Sequence, residues 1–76
     1  MKITKLADMD IEDREKDVLA KAFKGVNIAE AAVILNVGYT RAWQKLAIYV
    51  AKGWLSKRKT LGKKPIYILN RERLSL

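Results

Sequence analysis

A short segment near the middle of the chain, residues 36–50 (NVGYTRAWQKLAIYV), carries a row of side chains that can form hydrogen bonds. At the spacing of an α-helix, one face of this segment is apolar and the other is polar and basic. The polar face contains no acid, and its members are Tyr39, Thr40, Arg41, Gln44 and Lys45. Such a face suits a ligand that presents negative charge together with hydrogen-bonding edges.

A second basic cluster lies downstream and consists of Lys57, Arg58, Lys59, Lys63 and Lys64. Lysine supplies a point charge, which suits phosphate contact without base information. The alternative is that these lysines protect the edge of a small sheet against aggregation. For Arg41 and Gln44 the alternative is an ordinary solvated helix face.

Charge is segregated along the chain. Residues 1–25 contain six basic and six acidic side chains, whereas residues 26–76 contain ten basic residues and two acids, Glu30 and Glu72. The second segment therefore carries the whole net charge of +8, and the 41 residues between the two acids contain no carboxylate. A positive face attracts polyanions, so nucleic acid is the leading partner and an anionic membrane surface the second. A lysine-rich surface selected for solubility is the remaining interpretation.

Composition argues against an enzyme. A chain of 76 residues forms one domain, and a domain near this size buries only about 60% of its unfolded surface, which leaves no room for a deep catalytic cleft. The chain has no Cys and no His, so disulfides, thiolate ligands and thiol nucleophiles are excluded. We expect no metal site, cofactor or small-molecule substrate. Without an apolar run of about 20 residues or a secretory segment, we expect a cytoplasmic protein outside the membrane.

The first predicted helix spans residues 11–24. Asp10 and Asp13 have the spacing of a capping box at its start, and Gly25 is the expected stop. Its buried face should consist of Ile11, Val18, Leu19, Ala22 and Phe23. Upstream, residues 1–9 have apolar side chains spaced by three, which predicts a short helical turn or an extended arm.

The second predicted helix spans residues 28–35 and begins with a capping box formed by Asn27 and Glu30. Val26, just before it, leaves room for a strand of one or two residues. The buried face is predicted to consist of Ile28, Ala31, Ala32 and Leu35. Apolar residues also occupy the other side of this helix: Ala29, Val33 and Ile34. Either the N-terminal arm or a second subunit would cover them, and we expect a homodimer rather than a monomer.

The third predicted helix spans residues 39–52, follows the turn at residues 36–38 and ends at Gly53. Its buried arc is predicted to consist of Ala42, Trp43, Leu46, Ala47, Tyr49 and Val50. Trp43 is therefore expected in the core, with base stacking by its ring as the alternative. Ile48 falls on the basic stripe, where a thymine methyl or a second subunit could cover it.

From Trp54 onward the hydrophobic period changes to two. Residues 54–58 and 66–69 are predicted to form the two strands of a hairpin with a basic tip, and Pro65 stands where a missing N–H is tolerated. Residues 70–76 are expected to be a short tail.

The order of helix, very short strand, helix, tight turn, helix and hairpin resembles the winged helix-turn-helix family of DNA-binding domains over residues 10–70. The resemblance rests on the apolar face of the second helix, on Val37 and Gly38, on Ala42 and Leu46, and on two stretches: Lys52-Gly53-Trp54-Leu55 and Ile66-Tyr67-Ile68-Leu69. Size and lysine content are also similar to those of small transcription factors of crenarchaeal viruses and plasmids.

The resemblance implies a mainly α-helical fold with a small antiparallel β-hairpin as the wing. The single domain over residues 1–76 would comprise an arm (1–9), a three-helix core (10–53), the wing (54–69) and the tail (70–76). Gly38 departs from the family, which usually caps this helix with Ser or Thr; glycine replaces such a cap at a cost of a few tenths of a kcal/mol.

The resemblance further implies that the third helix enters the major groove of double-stranded DNA, with Tyr39, Thr40, Arg41, Gln44 and Lys45 near the base edges. Arg can bond bidentately to guanine and Gln to adenine, which agrees with this placement. The wing residues would follow the backbone or the minor groove: Lys57, Arg58, Lys59, Lys63 and Lys64. The expected function is a sequence-specific transcription regulator. A non-specific architectural DNA binder and a winged-helix protein-interaction module remain as alternatives.

Overall fold

The computed structural model describes residues 2–59 and 64–76. Within these residues the elements follow in the order β1 (Thr4–Lys5), a 3₁₀ turn (Leu6–Asp8), α1 (Asp13–Lys21), α2 (Ile28–Leu35), α3 (Tyr39–Ala51), β2 (Leu55–Arg58), β3 (Ile66–Leu69) and β4 (Leu74–Ser75). The predicted arrangement of three helices and a small antiparallel hairpin is confirmed. The second helix has the predicted bounds, the third ends one residue earlier than predicted, and the first ends at Lys21 rather than at residue 24.

One apolar core joins all of the longer elements. Its buried members are Leu6, Val18, Leu19, Ala22, Val26, Ile28, Ala31, Leu35, Ala42, Leu46, Tyr49, Leu55, Tyr67, Leu69 and Leu74. Because removal of apolar surface from water is the main favourable term in folding, the shared core fixes the helices and the hairpin relative to one another.

The start of α1 differs from the prediction. The helix begins at Asp13 with Glu12 as its N-cap, and no side chain caps it. Ile11 is half-buried against the core, and the chain that brings it there is not helical. The capping box predicted at Asp10 is therefore wrong.

The start of α2 has the predicted capping box. The Asn27 side chain accepts a hydrogen bond from the Glu30 backbone N–H at 2.7 Å, and the Glu30 carboxylate accepts one from the Asn27 backbone N–H at 3.0 Å. The backbone hydrogen bond from Asn27 lowers the pKa of Glu30, and Lys21, whose Nζ lies 3.4 Å from the carboxylate, adds to this effect. Two of the otherwise unpaired groups at the helix start are thereby satisfied.

The turn between α2 and α3 is closed by Asn36 in the left-handed conformation, with φ of 56°. The Val37 N–H donates to the Ala32 carbonyl at 3.0 Å, and the Asn36 N–H donates to the Val33 carbonyl at 3.2 Å. This pair of bonds is the Schellman arrangement, and asparagine tolerates the required φ better than most residues. It sets the direction in which α3 leaves α2.

Backbone hydrogen bonds of β3 tie the hairpin to α1 and to the segment that follows it. Val26 forms an isolated antiparallel bridge with Tyr67, with N–H···O distances of 2.9 and 2.8 Å. The Leu69 N–H also donates to the Ala22 carbonyl at 2.8 Å. The short strand expected at Val26 is confirmed.

Both ends of the described chain contribute to the fold. β1 pairs in parallel with β4, and the side chains of Leu6 and Leu74 are buried. Asn70 anchors this region, since its side chain donates to the Gly53 carbonyl at 3.0 Å and accepts from the Glu72 N–H at 3.1 Å. The expected short tail over residues 70–76 therefore contains a strand that was not predicted, because two-residue strands leave no periodic pattern to detect.

The buried arc of α3 is narrower than predicted. Ala42, Leu46 and Tyr49 are buried, but Trp43 is 47% exposed and Ala47 is exposed. The buried side of α3 includes Tyr49 and therefore lies closer to α1 than predicted. The tryptophan that packs against the core is Trp54, and the centroids of its ring and the Tyr49 ring are 5.7 Å apart. The core position predicted for Trp43 is wrong.

Among residues 2–59 and 64–76, no helix combines the length and the apolar character that crossing a membrane requires.

This register of α3 can be tested by a pair of substitutions. Leu46→Ala removes a fully buried side chain and should lower the free energy of unfolding by about 2–5 kcal/mol. Trp43→Ala should cost clearly less, because half of the ring is already in contact with solvent. Chemical denaturation of both variants measures the difference, and a larger loss for Trp43→Ala would contradict the register.

Candidate nucleic-acid interface

The exposed side of α3 is organised in three rows, because residues three or four positions apart are neighbours on a helix. Thr40, Gln44 and Ile48 form a central row. An aromatic row of Tyr39 and Trp43 lies on one side of it, and a basic row of Arg41, Lys45 and Lys52 lies on the other. The sequence of α3 contains no acid. Its exposed side can therefore donate hydrogen bonds and attract negative charge without an opposing carboxylate of its own.

The hairpin meets the aromatic row. Lys64 Nζ lies 5.4 Å from the centroid of the Tyr39 ring, within the distance of a cation–π contact. This contact joins the segment just before β3 to the first turn of α3. The structure thereby brings together two of the predicted site residues, one from the helix and one from the hairpin.

The remaining hairpin cations are accessible to a ligand. Lys57 and Arg58 are exposed on β2, and Lys59 is exposed directly after it. In the register of the hairpin Lys57 is paired with Tyr67, the residue that bridges to Val26. Lys63, also a predicted site residue, lies outside the described residues.

The opposite flank of α3 has acidic neighbours. A groove of about 600 Å³ separates the basic row from the chain that leads into α1, and it is lined by Asp10, Ile11, Glu12, Glu15, Lys45, Ile48, Tyr49 and Lys52. Lys45 is half-buried here, whereas Arg41 is exposed. The two flanks therefore differ in charge, since acids border the basic row and Lys64 borders the aromatic row.

The bond between Tyr49 and Glu15 holds the acidic flank against α3. The Tyr49 hydroxyl donates a hydrogen bond of 2.8 Å to Glu15, and the tyrosine side chain is fully buried. Burial raises the pKa of Tyr49 well above its ordinary value, and the hydrogen bond to Glu15 raises it further. This contact links α1 to the second half of α3.

Sequence reasoning misses one residue of this surface. The pattern places Trp43 in the core, because apolar character alone cannot tell one edge of a buried arc from the other. The nearest available signal is Tyr49, which lies six positions later and marks the centre of the buried side. Ile48, predicted on the basic stripe, is indeed exposed beside Lys45.

In the part of the chain that the structure describes, no cluster of three potential metal ligands occurs. Comparison of the chain with models of protein families, with curated proteins and with solved structures gave no match. Function must therefore be inferred from the surface of α3 and the hairpin.

The Tyr49–Glu15 contact predicts a specific loss of stability in alkali. An unfolded tyrosine ionises near pH 10, whereas the raised pKa keeps Tyr49 protonated in the folded protein. Below about pH 10 this contribution is complete, and it falls as the pH rises toward the folded-state pKa. Tyr49→Phe should make the decline of the unfolding free energy above about pH 10 shallower.

Denaturation curves at several pH values measure this effect, and Tyr39→Phe is the matched control because its ring is exposed. Burial also raises the pKa of Tyr67, so some decline should persist in the Tyr49→Phe variant. Equal slopes in wild type and Tyr49→Phe would contradict the role assigned to this hydrogen bond.

Proposed function

We propose that the protein is a sequence-specific transcription regulator that binds double-stranded DNA as a winged helix-turn-helix domain. In this proposal α3 is the recognition helix in the major groove, and the hairpin of β2 and β3 is the wing. The wing lysines contact the backbone or the minor groove next to the site.

The observation that carries the proposal is the contact between Lys64 and Tyr39. It places the basic hairpin beside the first turn of an acid-free helix, so that one continuous surface combines hydrogen-bonding side chains with positive charge. Major-groove recognition requires base-reading groups and phosphate-binding groups side by side. Arg41 and Gln44, three positions apart and both exposed, supply the reading groups.

The connection from α2 to α3 also supports this function. The two helices pack on each other, Ala31 of α2 and Ala42 of α3 are both fully buried, and the Asn36 turn joins the helices. Small residues at this position allow the helices to approach closely. A helix-turn-helix domain needs this rigidity, because its first helix positions the second one against DNA.

A protein-interaction module is the second candidate, and one observation favours it. Val33 on α2 is 80% exposed, and Ala29, one turn earlier on the same side, is also exposed. This apolar surface would suit another protein chain or a second copy of this one. A protein-interaction function based on this surface would leave the acid-free side of α3 without a role. DNA binding is therefore the first candidate.

Selection of bound duplexes from a random pool is the deciding experiment. A reproducible consensus supports sequence-specific binding, and binding without a consensus supports the architectural alternative. The mass of the complex then gives the number of protein chains on each duplex, and an inverted repeat in the consensus would accompany a homodimer. Failure to retain any duplex would reject the proposal.

Binding should depend strongly on salt concentration. If α3 and the wing neutralise about five to seven phosphates, log K should fall with log salt with a slope of roughly −4.5 to −6. Fluorescence anisotropy of a labelled duplex at several salt concentrations measures the slope. A slope near zero would be incompatible with a nucleic-acid interface built from these lysines and arginines.

Base reading and phosphate binding should separate by mutation. Arg41→Ala and Gln44→Ala should each cost about 1–3 kcal/mol on the selected site and little on random DNA, because a bidentate contact distinguishes bases. Lys59→Ala combined with Lys64→Ala should weaken both complexes alike. It should also reduce the salt slope by about one unit for each phosphate that is no longer neutralised.

Paired titrations of the selected and random duplexes at one salt concentration give the ratio of affinities for each variant. Lys16→Ala is the charge control, because its ammonium group on α1 donates to the Ala7 carbonyl at 3.2 Å. If the hairpin variant loses discrimination while the α3 variants keep it, the roles of the two elements are reversed.

A further inference from the structure

The exposed tryptophan of α3 is not explained by packing or by charge. Trp43 is 47% exposed and Tyr39, one turn earlier in the same row, is 48% exposed. The other exposed residues of the first half of α3 are polar: Thr40, Arg41 and Gln44. The two rings together form an apolar patch among hydrogen-bonding groups, and such a patch suits a partner that offers an apolar group at that place.

The two aromatic side chains are not equivalent. Tyr39 lies against Lys64, so its ring is already in contact with the hairpin, and its hydroxyl can bond a phosphate or a base edge. Among the described residues, no aromatic stacking or cation–π contact involves Trp43. Trp43 directly precedes Gln44, one of the proposed base-reading residues. Its row is the one beside which Lys64 lies, so Trp43 is the large apolar side chain on the hairpin side of α3.

The major groove of DNA offers one alkyl group, the C5-methyl group of thymine. Its other exposed groups on the base edges are hydrogen-bond donors and acceptors, which the indole ring cannot satisfy with its single N–H. We propose that Trp43 contacts thymine methyl groups, in the base pair read by Gln44 or in its neighbour. This inference rests on the proposed placement of α3 in the major groove and names the sequence feature that the helix selects.

Ile48 is the other large apolar side chain on the exposed side of α3, and it is less suited to this role. It belongs to the central row, but it lines the groove that Asp10 and Glu12 also line. The carboxylates there offset the charge of Lys45 and Lys52, so phosphates are attracted more strongly on the side of Lys64. The methyl contact is therefore assigned to Trp43.

Replacing thymine by uracil removes the methyl group and keeps the hydrogen-bonding pattern of the base, which isolates the contact. In the best-bound duplex from the selection, each thymine within the protein footprint is replaced in turn by deoxyuridine. For wild-type protein we expect an approximately fourfold loss of affinity at one or two positions, the ratio that burial of about one methyl-sized group supplies. Uracil outside the footprint is the duplex control.

The same duplexes are then titrated with Trp43→Ala and with Trp43→Gln, two variants that keep good helix-forming residues at this position. Both should bind the thymine and uracil duplexes equally, at the level of wild type with uracil or below. Val33→Ala is the matched protein control, because it shortens an exposed apolar side chain on α2, and it should keep the fourfold ratio.

The outcomes separate this inference from the proposed function. Absence of duplex binding by wild type would reject both. Specific binding without a uracil effect, a consensus that lacks thymine, or an unchanged uracil effect in both Trp43 variants would each overturn the methyl contact and leave the recognition helix in place. A uracil effect that disappears with Trp43 alone supports it.

Discussion

The bridge between Val26 and Tyr67 is the constraint on which the arrangement of the surface depends. A two-stranded hairpin alone is marginally stable in water. Here β3 is anchored by both hydrogen bonds of this bridge, by the bond from Leu69 to Ala22 and by the buried ring of Tyr67. These contacts hold the hairpin beside the first turn of α3, so that the cations of one element and the polar groups of the other share a surface.

Stability and surface chemistry make opposite demands on α3. Three residues of the helix are fully buried in the core. On its other side two large apolar residues, Trp43 and Ile48, are about half exposed. In a chain of 76 residues, burial of these groups would be a substantial gain, since a large apolar side chain contributes about 1.5–3 kcal/mol when fully buried. Their exposure is a cost to stability that the proposed binding surface would account for.

Local signals in the sequence are sufficient for much of the fold. The Asn27–Glu30 capping box predicts the start of α2, and the change of hydrophobic period at Trp54 predicts the hairpin. Both signals depend only on residues that are close together in the sequence. The pairing of β1 with β4 and the side of α3 on which Trp43 lies depend on residues far apart in the chain, so no local pattern contains them. The residues of the candidate surface can be predicted from the chemistry of their side chains. The charges on its two flanks cannot, because they depend on where α1 and the hairpin lie in the folded protein.

The difference in charge between the two flanks of α3 has a kinetic consequence. The carboxylates offset Lys45 and Lys52 on one flank, whereas Lys64 lies on the other, so positive charge is unevenly distributed across the helix axis and gives an electric dipole. In the field of a polyanion this dipole experiences a torque, which turns the hairpin flank forward before any contact forms. At about 0.01 M salt the Debye length of about 30 Å is close to the 35 Å length of the molecule. Such orientation then acts throughout the approach, whereas at about 0.15 M it is confined to the last 8 Å or so.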